Sequence, residues 1–247
     1  MTAKELFNDI REYCIRNADE AVVVKYSRYF REGYDAYGLS QKMVEDKAKL
    51  ILADKTITIK LIAETCRLLI KTGKYEEVSF AYLLLLSFRK TFTSDTFSEI
   101  QIWFETGINN WAHTDITCSY LLFPLLHKGI IGVNSFDLWR KAKNKYQRRA
   151  VPVSLIKLLK TTDDFKPLFL FVEPLMRDPD RVVHQGVGWF IREAWKINKP
   201  ETEVFLMKWK DTAPRLIFQY ACEKMSAEEK LKFKRDKALK KTTDDNY

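Results

Sequence analysis

Three stretches of this 247-residue chain hold residue types that could do chemistry. Trp111 and Asp115 follow Asn109-Asn110 at i, i+4 spacing, which on a helix sets an indole and a carboxylate side by side. The same spacing also suits a core tryptophan with an aspartate paired to a neighbouring base. Between Arg140 and Arg149, six of ten residues are basic (Arg140, Lys141, Lys143, Lys145, Arg148, Arg149) and none is acidic. Such a run matches phosphate contact, and equally a solvated helix end. Arg148 and Arg149 open a segment whose apolar Val151, Leu155, Leu158 and Leu159 must face a core, so at least one arginine is expected to project outward. In the third stretch, Arg181 to Glu193, the residues Val183, Val187, Phe190, Ile191 and Ala194 form one helical stripe. Trp189 falls roughly 90° or more away from it, at about 100° per residue. Gly186 and Gly188 each cost about 1 kcal/mol inside a helix, so a large neighbour, either a helix or a ligand, is expected to approach there.

The elements that must position these residues are helices. Gly is scarce at 8 residues, and the first of the 7 prolines is Pro124, so the first half offers long uninterrupted stretches. Thr2 with Glu5 and Ser226 with Glu229 read as capping boxes, and Pro179 and Pro200 sit where first helical turns begin. The pattern predicts helices near 2–16, 19–31, 40–53, 57–72, 75–90, 95–107, 110–126, 134–144, 147–160, 163–175, 179–196, 200–210, 212–223 and 226–240. Short connections force antiparallel neighbours. The expected fold class is therefore all-α, an α-α superhelix of HEAT-like or armadillo type, with a single domain over 1–240 and a frayed polar tail at 241–247.

Apolar residues make up 46% and charged residues 30%, the balance of a globular chain, and the formal charge of +9 favours a polyanionic partner. The longest apolar stretches, Phe80 to Leu86 and Tyr120 to Leu126, fall short of the roughly 18 residues a membrane span requires. The charged N-terminus reads as mature sequence, so the expectation is a cytoplasmic protein with no membrane partner. Cys14, Cys66, Cys118 and Cys222 contain no CxxC pair, and His113, His127 and His184 show no HExxH spacing. No metal and no cofactor are expected, and the cysteines read as buried packing residues.

Taken in order, Trp111-x-x-x-Asp115, Gln147-Arg148-Arg149-Ala150-Val151 and Val187-Gly188-Trp189-Phe190-Ile191-Arg192-Glu193 resemble the AlkD-like DNA alkylation repair proteins. Lys25 to Arg31 followed by Tyr37-Gly38 looks like that family's early helix and loop, and Tyr220 to Lys224 like its C-terminal helix. Two positions depart from the family pattern: Ala112 stands where a second acid is frequent, and Gln219 where an arginine is common. The resemblance implies a monomeric HEAT-like DNA glycosylase that removes cationic N3- or N7-alkylated purines from double-stranded DNA. In it Asp115, Trp111 and Trp189 would be catalytic, and Arg149, Arg148, Tyr29, Lys145 and Arg192 would contact DNA. An alkylated purine already carries positive charge and leaves without a general acid. One carboxylate can then stabilise the oxocarbenium-like sugar and orient water, while indole faces attract the developing cation. Two other readings share this shape: a non-catalytic module that binds damaged or branched DNA, and a protein-binding scaffold.

Overall fold

The computed structural model describes residues 1–235. The tail expected at 241–247, and the end of the helix expected at 226–240, lie outside the described residues. Among the described residues every regular element is helical, as expected. Contacts gather the described residues into two compact units, the first Met1–Gly132 and the second from Val133 onward.

The first unit runs through α1 (Ala3–Arg16), α2 (Glu20–Ser27), α3 (Gln41–Ala53), α4 (Ile59–Thr72), α5 (Tyr75–Leu86), α6 (Ser94–Thr106), α7 (Trp111–Thr117) and α8 (Phe123–His127). The Thr2/Glu5 capping box is formed in α1, and the side chains of Asp19, Ser40, Thr58 and Asn110 cap α2, α3, α4 and α7. α4 and α5 are antiparallel neighbours joined by Gly73-Lys74. α1 packs on both, α3 on α5 and α6 on α4. α5 is thus the central helix, and this is why Phe80 to Leu86 is so apolar: nearly every side chain of α5 is buried. Between α7 and α8 the helix widens into one π turn, Cys118–Leu122. Pro124 has no N–H to give and its ring crowds the carbonyl four residues back, so the wider turn relieves the clash without ending the helix.

The second unit holds α9 (Lys145–Leu155), α10 (Lys166–Val172), α11 (Arg181–Ile197), α12 (Lys199–Trp209), α13 (Arg215–Ala221) and α14 (Ala227–Leu231). α11 is its axis, flanked by α9, α12 and α13. The stripe Val183, Val187, Phe190, Ile191 and Ala194 is wholly buried. A Cβ on Gly186 would lie 3.1 Å from Cγ of Arg149 in α9. One on Gly188 would lie 2.5 Å from Cβ of Tyr220 and 2.7 Å from the Ile217 carbonyl in α13. The large neighbours expected at both glycines are therefore helices.

Several segments differ from expectation. The helix predicted over 134–144 is two short 3-10 turns, Val133–Phe136 and Trp139–Lys141. Between them Leu138 lies exposed, so no continuous apolar face sustains a helix. The predicted 147–160 and 163–175 helices tighten into 3-10 turns at Ile156–Lys160 and Glu173–Arg177, the second with Pro174 in its first turn. All four cysteines are buried as expected, and burial raises the Cys222 thiol to about 11 and the Cys14 thiol to about 12, so neither is a ready nucleophile.

The central helix also holds the irregular chain between α2 and α3. Glu76, 1% exposed, accepts the backbone N–H of Tyr37 at 2.8 Å, of Gly38 at 2.8 Å and of Leu39 at 3.0 Å. Gly38 sits at φ +91°, which lets three successive N–H groups converge. A Cβ there would also strike the Asp19 carbonyl at 2.1 Å. Glu77 pairs with Arg11 at 2.8 Å and accepts the Tyr37 hydroxyl at 2.8 Å. Replacing Glu76 by Ala strands three buried donors, at about 1–3 kcal/mol each. Urea unfolding should show Glu76→Ala destabilised by at least about 3 kcal/mol, against about 0.5 kcal/mol for the exposed Glu12→Ala. Equal midpoints for the two variants would sink this account.

Candidate nucleic-acid interface

α7 begins where Asn110 Oδ1 accepts the His113 backbone N–H at 2.9 Å. The same side chain places Nδ2 2.7 Å from His113 Nδ1. Because Nδ2 only donates, Nδ1 must accept, and the ring proton sits on Nε2, 3.2 Å from Ser79 Oγ. Ser79 passes its own proton to the Tyr75 carbonyl at 2.9 Å. Every role in the chain from Asn110 to Tyr75 is satisfied with a neutral ring. Burial accordingly pushes His113 down to about 3, against a smaller opposing pull from the Tyr75 backbone. The network ties the start of α7 to α5.

Trp111 and Asp115 leave this anchored start on one helix face. Trp111 is 39% exposed, yet its ring is held: Nε1 donates to the Tyr29 carbonyl at 3.2 Å, and Phe30 stacks on it at 5.6 Å and 17°. Phe30 stacks in turn on Tyr34 at 4.6 Å and 15°, so its two faces are occupied. Tyr75 meets both Phe30 and Tyr34 edge-on. Asp115, one turn below, is half-buried. Tyr29 is exposed and carries the Arg28 guanidinium 4.9 Å above its ring. In the first unit, then, Trp111 meets the Tyr29 backbone and Asp115 follows one turn along α7, while Ala112 is buried.

The second unit holds the remaining expected site residues. Trp189 is half-buried on α11, off the buried stripe, as its spacing suggests. The arginines correct the sequence reading. Arg148 is 11% exposed, pairs with Asp178 at 2.6 Å and with Asp180, and donates to the Ala142 carbonyl at 2.7 Å. Arg149 is 5% exposed and donates to the Val182 carbonyl at 2.7 Å, its stem lying against Gly186. Neither projects outward, because the loop before α11 supplies acids for one and the missing side chain of Gly186 makes room for the other. Arg192 is similarly engaged by Glu193 and Glu223. Arg140 pairs with Asp137 at 2.6 Å and donates to the Phe171 carbonyl. Lys145 is half-buried with Nζ 5.6 Å from the Tyr146 ring centroid, and only Lys141 and Lys143 of the basic run are exposed.

Sequence reasoning missed Glu76, His113 and Tyr75. Asn110 three residues before His113 was a readable cap signal, whereas the partners of Glu76 lie some 38 residues away and left no local trace. Among the described residues no group of three His, Cys, Asp or Glu side chains gathers as a metal site would, and no helix is long and apolar enough to cross a membrane.

His113 makes a pH prediction. Its folded value near 3 lies below the unfolded 6.5, so the unfolded chain binds the extra proton between those values. Stability is full above pH 6.5 and is lost as pH falls toward 3. Between pH 8 and pH 5 the loss from this one group is about 2 kcal/mol. Urea unfolding at both pH values should show that extra loss in the unaltered chain and not in His113→Gln. Identical pH slopes would refute the neutral buried ring.

The family model described as DNA alkylation repair enzyme matches residues 10–225. No curated protein matches the sequence. A solved structure described as a predicted DNA alkylation repair enzyme from Enterococcus faecalis is similar to the chain with a TM-score of 0.72 at 15% identity. The match covers 85% of this chain and 97% of that one, which shows a shared all-α fold of the α-α superhelix class. With the family pattern running through nearly the whole sequence, the chain belongs to the DNA alkylation repair enzyme family.

Proposed function

We propose that the protein is a monofunctional DNA glycosylase that excises cationic N3- or N7-alkylated purines from duplex DNA, acting as a monomer without metal or cofactor. The observation that carries this reading is Trp111, fixed by the Tyr29 carbonyl and the Phe30 ring, with the Asp115 carboxylate one turn below on the same face. A held indole and an adjacent anion suit positive charge that builds on a sugar as a cationic base departs. Because the cationic base leaves without taking up a proton, Asp115 has only to stabilise the sugar and align water. Trp189 is the second indole in this reading, and Tyr29 and Lys145 remain its backbone contacts, while Arg149, buried against the Val182 carbonyl, is not carried forward. Membership of a DNA alkylation repair family supports DNA as the partner. Arg148 and Arg192 are not carried forward, since carboxylates of their own unit engage them.

The test is release of free methylated purine from alkylated duplex DNA. Asp115→Asn should lower the single-turnover rate by roughly 10²–10³-fold, in the range for removing one preorganised electrostatic group, while DNA affinity changes little. Release at the unaltered rate would overturn the assignment, and no release from the unaltered protein despite salt-sensitive binding would favour a binding module. The cations divide in a second measurement. Lys141→Ala with Lys143→Ala should flatten the slope of log K against log salt by about 0.9 for each phosphate no longer neutralised. Arg148→Ala should leave that slope alone and cost about 3 kcal/mol of stability, by uncovering buried Asp178. A flattened slope with unchanged stability in Arg148→Ala would reverse the two roles.

A further inference from the structure

Residues 20–34 leave the body of the first unit and return to it. Where they leave, Asp19 N–H donates to the Tyr37 carbonyl at 2.8 Å, so the two ends of the segment are tied to each other. Where they return, Tyr75 N–H donates to the Asp35 carbonyl at 2.8 Å, and Glu76 holds the N–H groups of residues 37–39. Between these ends no residue is buried. Among the described residues α2 packs broadly on no other helix, unlike α1, α3, α4 and α5. A surface segment with neighbouring ends and so little buried area opens locally at low cost.

The segment is nonetheless bonded within itself. Beyond α2, Tyr29 N–H donates to the Tyr26 carbonyl at 3.0 Å, Phe30 N–H to Ser27 at 2.9 Å and Gly33 N–H to Phe30 at 3.1 Å, and Phe30 stacks on Tyr34. None of these bonds reaches the body, so all of them survive a displacement of the segment as one piece. With both ends fixed, that swing is the motion left to it. A swing gives up contacts to the body, among them the Trp111 Nε1 hydrogen bond to the Tyr29 carbonyl, the Phe30 stack on Trp111 and the edges of Phe30 and Tyr34 against Tyr75. Each such contact shifts an opening equilibrium by roughly 2–10-fold. The cleft of ≈ 590 Å³ beside Trp111 has one wall on the segment, with Val22, Tyr26 and Tyr29, and another on the body, with Val44, Tyr75 and Glu76. Displacement of the segment therefore widens the cleft and frees the Trp111 indole in one movement, while Asn110 and His113 keep α7 in place.

We propose that residues 20–34 are a hinged strap swinging between Asp19 and Asp35, latched by Tyr29 and Phe30 on Trp111, and that Phe30 is a positioning residue for that indole. The strap and its latch stand apart from the glycosylase reading, and only the effect on base release rests on it.

Fluorine NMR of the DNA-free full chain carrying 5-fluorotryptophan reads the latch. Of the six tryptophan lines, the one lost in Trp111→Phe belongs to the latch. Phe30→Ala should move that line alone toward the position of free 5-fluorotryptophan, and Phe30→Tyr should leave it in place. Spin labels read the swing. Placed at Val24→Cys on the strap and Leu50→Cys on α3, both exposed, they should give a narrow distance distribution that becomes longer and broader when Phe30→Ala is added. The four native cysteines are buried and do not compete for the label. An unmoved Trp111 line in Phe30→Ala, a shift of all six lines together, or an unaltered distance distribution would each overturn the strap. In single-turnover base release at saturating protein, Phe30→Ala should be slower by at least about tenfold, with Phe30→Tyr within about twofold of the unaltered chain. An open strap with an unaltered release rate overturns the positioning role of Phe30. Spectra as expected with no release from the unaltered chain sink the glycosylase reading alone.

Discussion

Glu76 places a full negative charge in the interior, and the first unit is arranged around satisfying it. A lone buried carboxylate is prohibitively costly, so the chain between α2 and α3 has to bring N–H donors to it. Tyr37, Gly38 and Leu39 do so consecutively, which needs the positive φ of Gly38. Both Glu76 and Glu77 lie in the first turn of α5, where the helix dipole favours anions, and Lys74 at the N-cap position gives no side-chain cap of its own. The charge is therefore offset from two sides, by the helix that carries it and by the loop it folds.

From that constraint the aromatic group follows. With residues 37–39 fixed on α5 and Tyr75 N–H bound to the Asp35 carbonyl at 2.8 Å, the preceding segment has little freedom. Phe30 and Tyr34 come to rest against Tyr75. α7 is tied to the same helix by the neutral His113 through Ser79. Trp111 is thus located twice relative to α5, through its own helix and through the loop whose Tyr29 carbonyl it meets. Four residues in one turn and a half, Tyr75, Glu76, Glu77 and Ser79, fix both partners of the contact. A side chain expected to meet a reacting sugar gains from such rigidity, because positional error of even an ångström weakens directed electrostatic stabilisation.

The parts of this arrangement that were legible in the sequence are those written in local spacing. The capping boxes at Thr2/Glu5 and Ser226/Glu229 form as read. The off-stripe position of Trp189 and the shared face of Trp111 and Asp115 needed only about 100° per residue. What escaped depends on distant partners. Nothing near Glu76 announces that its acceptors will be filled from residues 37–39, and nothing near Arg148 announces Asp178 and Asp180. The run 134–144 looked helical by composition, but it buries only the short patch of Phe136 and Trp139 while Leu138 between them is exposed, and propensity alone does not sustain a helix of that length. The glycines of α11 signalled a close neighbour correctly. That the neighbours were Arg149 and Tyr220 could not be read from a helical wheel.

The basic run of the second unit sorts its cations by chemistry. Arg140, Arg148, Arg149 and Arg192 turn toward carbonyls and carboxylates of their own unit, where a planar fork with several donors satisfies more than one acceptor at once. Lys141 and Lys143 keep their strongly hydrated ammonium groups in water. A basic run dense enough to suggest an arginine-lined phosphate grip therefore presents lysines to solvent. Point charges on flexible stems track a phosphate backbone without reading base edges, and the affinity they give is set by salt more than by sequence. An enzyme of the proposed kind meets alkylated purines in any sequence context, and what distinguishes its target is the charge on the base. A backbone contact indifferent to sequence, combined with aromatic and anionic groups that respond to a cation, places discrimination on the one property that separates lesion from normal purine.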